Sequence, residues 1–281
     1  MPDALFATMI EPPRHLQVSA TAPTVFLIGT AALALAAVAV GARRWRRDGD
    51  PTLLMLVLGG AVASLYEPVI DVLGHVYFVE DGVPTLYTAM DRGMPFFVPF
   101  AYAGYLGITA AIALRAFERG VTRRQVFAIW AAFAAVIIAF ETGPIVADVY
   151  VYYGHQPLDL WGYPLWWAAV NPLTSMSAAA VVHLVRRHRG SAPSPAITFA
   201  AMAVAPGISN GVTSLPMWYA LYDGETSAGI KYLAAAVTIG LSLAAVRLIA
   251  DLVSAPDPVS AAPDNGSAHP ARVSSAFSLH R

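Results

Sequence analysis

The sequence predicts an all-α polytopic membrane protein of seven transmembrane helices, with its N-terminus outside and its C-terminus cytoplasmic. Three observations predict it. The 281 residues are 57% hydrophobic and 12% charged, with a mean hydropathy of +0.57, too apolar for a soluble domain of this length. Seven apolar stretches each reach the length that crosses about 30 Å of hydrocarbon. Arginines gather in alternate loops between those stretches.

The spans read at roughly 23–42, 52–74, 95–116, 126–147, 163–185, 195–219 and 228–252. Arg43, Arg44, Arg46 and Arg47 follow the first; Arg115, Arg119, Arg123 and Arg124 lie between the third and fourth; Arg186, Arg187 and Arg189 lie between the fifth and sixth. The positive-inside rule assigns these short loops to the cytoplasm, which fixes both termini. Residues 1–22 read as an extracytoplasmic segment: they lack a basic n-region and carry Glu11, Pro12 and Pro13, unlike a cleavable signal peptide. Residues 23–253 form one membrane domain, expected in a bacterial plasma membrane. Residues 254–281, rich in Pro, Ser and Ala without an apolar period, read as a disordered cytoplasmic tail. The absence of cysteine excludes disulfides, thiolate metal sites and cysteine nucleophiles, and a net charge of −1 gives no reason to expect nucleic acid.

Two spans share a grammar. In the second, Glu67, Pro68 and Asp71 are followed by Gly74, His75 and Tyr77, and the return helix opens around Pro95 and Pro99. In the fourth, Glu141, Pro144 and Asp148 are followed by Tyr150, Gly154 and His155, and the return helix opens around Pro164 and Pro172. The likeness points to duplicated helical hairpins in parallel orientation, and repeats in membrane proteins commonly place a site at their interface.

An acid inside hydrocarbon costs at least about 2.5 kcal/mol, so an intramembrane glutamate is a functional-site hypothesis by default. At about 1.5 Å per residue, Glu67 and Glu141 both fall in the outer third of their spans, and Tyr102, Asn171 and Asn210 arrive at a similar level. Backbone freed by Pro144, Pro172 and Pro206 is tolerated at that depth only beside protein or a wet cavity. Most Trp and Tyr residues also fall toward the outer side. Together these predict one outward-opening cavity, with Glu67, Glu141 and Asp71 as catalytic candidates. Tyr66, Tyr102, Tyr105, Asp148, Trp166, Trp167, Asn171, Asn210 and Trp218 are the substrate-binding candidates. No metal or cofactor is expected; the partners expected are a lipophilic small molecule and the bilayer.

Each feature also has a plainer reading. A lone glutamate near a helix end can snorkel or bond a neighbouring helix, and the asparagines can serve as interhelical glue. His75 and His155 fit solvated residues at the lip, Asp91 and Arg92 fit an ion pair in the outer loop, and Lys231 fits a side chain that snorkels to the outer surface.

Buried carboxyls under aromatic walls suit acid catalysis on a hydrophobic molecule: one acid protonates an alkene or epoxide, Trp and Tyr faces stabilise the cation, and a second carboxylate removes the terminating proton. In span count, length and the glutamate of YEPVID, Glu67, the chain resembles the seven-helix integral-membrane terpene cyclases of meroterpenoid and indole-terpenoid pathways. The resemblance implies a carboxylic-acid-initiated cyclisation or isomerisation of an isoprenoid-like substrate. That family's second acid lies late in the chain, where the last span of this sequence carries only Asp251, at its cytoplasmic end, and Asp223 sits in the preceding outer loop. A proton-coupled small-molecule transporter and a non-catalytic lipid-binding or assembly protein are the alternatives.

Overall fold

Long apolar stretches make the helices of this chain, and proline sets where several of them break. The structure, a computed structural model, describes residues 10–190 and 194–254. Helix α1 spans Thr21–Asp48 and α2 spans Thr52–Ala63. A single 3₁₀ turn, Ser64–Tyr66, then leads into α3, Glu67–Gly74. Pro68 has no N–H to return to the Ser64 carbonyl four residues back, so an unbroken helix is disfavoured there. The Ser64 carbonyl instead accepts the Glu67 N–H and, at 3.4 Å, the Tyr87 hydroxyl. Glu67 therefore stands at the start of a new helix.

Three short strands follow, β1 Val76–Phe78, β2 Thr85–Ala89 and β3 Arg92–Pro95, before α4, Phe97–Glu118. Helix α5, Arg123–Val146, opens on a reciprocal cap in which Thr122 and Gln125 satisfy each other's backbone N–H groups. The same order then recurs: β4 Tyr150–Tyr152, β5 Asp159–Leu160, β6 Tyr163–Pro164 and the return helix α6, Leu165–Arg189. Helices α7 Pro195–Ala203, α8 Ala205–Thr213, α9 Leu215–Tyr222 and α10 Ala228–Val253 complete the described fold.

Among the described residues, seven helical stretches are long and apolar enough to cross a membrane: α1, α2 with α3, α4, α5, α6, α7 with α8, and α10. The sixth is shorter than its expected 195–219. Pro206 and Pro216 each occupy the second position of a new helix, so the chain turns at Val204 and again at Ser214. Pro144 and Pro172, by contrast, are absorbed within continuous helices and break nothing.

The expectation of purely helical structure also needs correction. The strands pair antiparallel as β1 with β4, β2 with β3 and β5 with β6, all at the end of the bundle opposite the arginine-rich loops. The described part of the N-terminal segment is tied to this ribbon end by an Arg14–Asp91 ion pair and a bridge between Gln17 and Asp81. The tail expected over 254–281 lies outside the described residues beyond Ser254.

Close packing through small residues brings the helices together. A Cβ on Gly60 would meet the Tyr102 carbonyl at 2.9 Å, and one on Gly107 would meet Val57 Cα at 2.6 Å, so α2 and α4 touch backbone to backbone. That approach sets Tyr102 opposite Glu67.

Candidate functional site

Glu67, at the start of α3, and Glu141, on α5, line one cavity of about 100 Å³. Tyr102 and Tyr105 reach it from α4, Trp167 and Asn171 from α6, and Asn210 from α8. Among the described residues its lining carries no arginine, lysine or histidine. Its apolar wall includes Phe26 of α1, Phe97 of α4, and Ile137 and Phe140 of α5.

Hydroxyl and amide donors hold the two acids. The Tyr102 hydroxyl donates to Glu67 Oε2 in a short hydrogen bond. The Tyr152 hydroxyl donates to Glu141 Oε2 at 2.8 Å, and Asn171 Nδ2 donates to Glu141 Oε1 and to the Tyr163 hydroxyl, both at 3.3 Å. Burial, with the neighbouring Glu141 second, pushes the Tyr150 and Tyr152 hydroxyls well above the usual phenol range, so both stay donors near neutrality. Asn210 donates to Ser209 Oγ at 3.4 Å, while its Oδ1 is buried without a partner among the described residues. That leaves an unused acceptor on a residue of the cavity wall.

The ribbon end covers the cavity. Val76 and Phe78 of β1 and Tyr150 and Tyr152 of β4 all line it, in register Val76 to Tyr152 and Phe78 to Tyr150. The expected opening at this end is therefore roofed by the β1–β4 ribbon. The lightest wall faces the side: α1 and α5 bury the least of their surface among the seven long stretches, and Phe26 and Phe140 meet there with ring centroids 5.4 Å apart.

Several residues expected in the site lie elsewhere. Asp148 is exposed in a left-handed turn after α5. Trp166 is fully buried and donates to Gln156 Oε1 at 3.2 Å, outside the cavity. Tyr66 faces Gly207 and Gly211 of α8, and Trp218 packs among buried side chains of α9 and α10; neither lines the cavity. Asp71 is 0% exposed, one turn beyond Glu67, and is also absent from the lining.

Three plainer expectations are overturned as well. His75 is not at a solvated lip but 1% exposed, stacked on Tyr153 at 4.8 Å. Lys231 is 3% exposed instead of snorkelling outward, because the β4–β5 loop and α9 fold against the start of α10. Asp91 pairs with Arg14, while Arg92 is buried and donates to the Tyr153 hydroxyl at 3.0 Å and to the Asp91 carbonyl at 3.1 Å.

Sequence reading passed over Phe26, Phe97 and Phe140, since a phenylalanine in an apolar helix carries no signal of its own. It also missed Gln156, which ties the Gly74 carbonyl to Trp166. Tyr150 stood out in the repeated hairpin order, and Tyr152 only as part of the aromatic excess. No protein-family model, curated protein or solved structure matches this chain, so the site is read from its own chemistry. Fold and site together define the class: a helical protein with seven membrane-length stretches and a two-carboxyl, aromatic-walled cavity.

Proposed function

We propose that this protein is an integral-membrane enzyme that protonates a lipophilic, isoprenoid-like substrate and so cyclises or isomerises it. The observation that carries the reading is the pair of glutamates lining one cavity, each held by a tyrosine hydroxyl, with no cation in the lining. Glu67, with a single phenol partner, is the proton donor. Glu141, fixed by Tyr152 and Asn171, is the acceptor that ends the reaction. Phe97, Phe140, Tyr105 and Trp167 offer ring faces to a developing carbocation. The loose resemblance to membrane terpene cyclases supports the same chemistry.

Size sharpens the proposal. An apolar cavity of roughly 150 Å³ holds a benzene, so about 100 Å³ admits the reacting end of a chain and not its whole length. The remainder of the substrate lies between α1 and α5, in reach of the hydrocarbon, with Phe26 and Phe140 parting to admit it. The N-terminus-outside orientation, in which the ribbon end faces away from the cytoplasm, is part of the same reading and rests on the arginine loops.

The test is product formation in membranes supplied with a polyprenyl or polyprenyl-epoxide substrate. Glu67→Gln should keep the fold and lose turnover by at least about 10²-fold, the scale of a general acid, and Glu141→Gln should be comparably damaging. Full turnover in Glu67→Gln removes it as the acid. Proton-coupled uptake into vesicles without chemical change moves the assignment to a transporter.

A further inference from the structure

Asp71 and His75 have no role in the chemistry above, yet they continue a polar line that starts at Glu67. Glu67 and Asp71 stand four positions apart on α3, which puts their side chains on one flank with about 5–6 Å between Cβ atoms, and His75 caps the helix in a left-handed conformation. Both carboxyl oxygens of Asp71 and Nδ1 of His75 are buried and have no hydrogen-bond partner among the described residues. So are Nε of Arg92 and the indole nitrogens of Trp167 and Trp218. Buried polar groups in native proteins are almost always satisfied, by ordered water where protein supplies no partner. These orphaned donors and acceptors lie on neighbouring elements between the cavity and the ribbon end, and ordered water there would complete them.

The upper end of that line comes close to solvent. Nδ1 of His75 lies 3.3 Å from the point where a Cβ on Gly154 would stand, and Gly154 is exposed. The lower end reaches the cavity at Glu67. Between them the β1–β4 ribbon roofs the cavity. A proton bound for Glu67 from this end therefore needs a path through the protein.

We infer that Asp71 and His75, with the water held between them, form a relay that returns protons to Glu67 from the ribbon-end surface. The inference rests on Glu67 being the acid of the proposed reaction. After Glu67 has given its proton to substrate, the Asp71 carboxylic acid passes its own proton to the Glu67 carboxylate. Asp71 is then refilled through the His75 imidazole from surface water. The count closes because Glu141 takes one proton from the cation and releases it to solvent before the next turnover. Asp71 acts on substrate through Glu67 and is a positioning and relay residue, not a catalytic one.

The groups that tune this path are close by. Asp71 has Glu67 on its own helix, Arg92 on β3, and the phenols of Tyr87, Tyr102 and Tyr153 on neighbouring elements. His75 has Arg92 on one side and Lys231 of α10 on another. The two cations disfavour a standing charge on the imidazole, which suits a group that passes protons on.

The experiment is time-resolved infrared spectroscopy of the full-length protein in lipid, mixed from H₂O into D₂O at an acidic pH. The carboxylic C=O band that Glu67→Gln removes reports Glu67, and the one that Glu141→Gln removes serves as an internal control. In Asp71→Asn, deuteration of the Glu67 band should slow at least about tenfold while the Glu141 band keeps its rate, and Asp71→Glu should restore exchange. Should Asp71→Asn fail to fold, His75→Phe, which keeps a ring on Tyr153, carries the same test with a severalfold slowing. Unchanged exchange at Glu67 in either folded variant overturns the relay and leaves the proposed chemistry standing. If Glu67 shows no protonated band at any pH, the reading of Glu67 as the acid falls, and the relay falls with it.

Discussion

In the first hairpin the chain breaks just before its glutamate, whereas in the second it runs helically past it. Both hairpins use one order of parts: a helix bearing the acid, a left-handed residue, a strand, a short ribbon and a return helix. The left-handed residues are His75 and Asp148, with φ of 56° and 55°. The strands that follow pair with each other, Tyr77 opposite Val151, so the two units meet at their matching points. Their interiors differ. Pro68 sits at the second position of α3 and makes Glu67 the first residue of a new helix, while Pro144 sits inside α5 and leaves Glu141 mid-helix. Glu67 has one phenol partner; Glu141 has a phenol and an amide. A repeat that keeps the acid and changes what holds it produces two carboxyls of unlike character in one cavity, which is what a donor and an acceptor require.

The difference is largest at the left-handed residue. Burial first, then the charges of Lys231 and Arg92, holds the His75 imidazole down to about 4 from its usual 6.5. The unfolded chain then takes up a proton near pH 6.5 that the folded protein refuses until about pH 4. Stability is therefore full above pH 6.5 and falls as the pH drops toward 4, by roughly 3 kcal/mol if no other group intervenes. His75→Gln should remove that acid-side slope when the melting temperature of the purified protein is followed from neutral pH downward. An unchanged slope would mean that the ring takes up its proton as readily in the folded protein as in the unfolded chain, and that the two hairpins are more alike than their burial indicates.

Much of this contrast was hidden from the sequence, for definite reasons. The seven membrane-length stretches and their arginine-rich ends were legible because composition and length alone determine them. The shared level of Glu67 and Glu141 was legible because one 3₁₀ turn before Glu67 alters the depth counted along the chain by only about 0.5 Å per residue. Depth counting failed beyond the helix ends. It placed His75 at a wet lip and let Lys231 snorkel outward, but strands of two to five residues, too short to show a period, and the loops between them fold back over this end and leave both residues buried. It matched Asp71 to Asp148 in the repeated order and gave both a place in the site, although four residues after Glu67 is one helical turn and seven after Glu141 is past the end of α5. Pro68, Pro206 and Pro216 begin new helices and Pro144 and Pro172 do not, a distinction set by neighbouring helices and not by the local sequence.

A smaller effect separates the residues just before the left-handed turns. In the first hairpin this is Gly74, where an added Cβ would lie 2.5 Å from Cζ2 of Trp167, a fully buried ring of the cavity wall. In the second it is Ala147, which is exposed. Gly74→Ala should destabilise the protein by about 1–3 kcal/mol, the range for overpacking a filled site, and should lower turnover by displacing Trp167. Ala147→Gly should change stability by less than about 1 kcal/mol, the cost of a glycine at a helix end. Thermal melting of the two variants side by side decides it, and equal losses would place a packed neighbour at Ala147.

The smallest effect is expected at Asp148 itself. A non-glycine residue with positive φ is strained, and aspartate tolerates that region better than most because its short side chain bonds locally. Being exposed and outside the cavity, Asp148 contributes mainly its backbone conformation to the turn. Glycine removes the strain but loosens the unfolded chain, so Asp148→Gly should stabilise by less than about 1 kcal/mol, with turnover unchanged. The matching change in the first hairpin, His75→Gly, relieves the same backbone strain but deletes a ring stacked on Tyr153 within the buried layer, and should be clearly destabilising. Opposite signs for two substitutions at equivalent left-handed positions would confirm that the hairpins share a backbone plan and differ in what they bury. A loss of substrate turnover in Asp148→Gly would instead return Asp148 to the site and break the comparison.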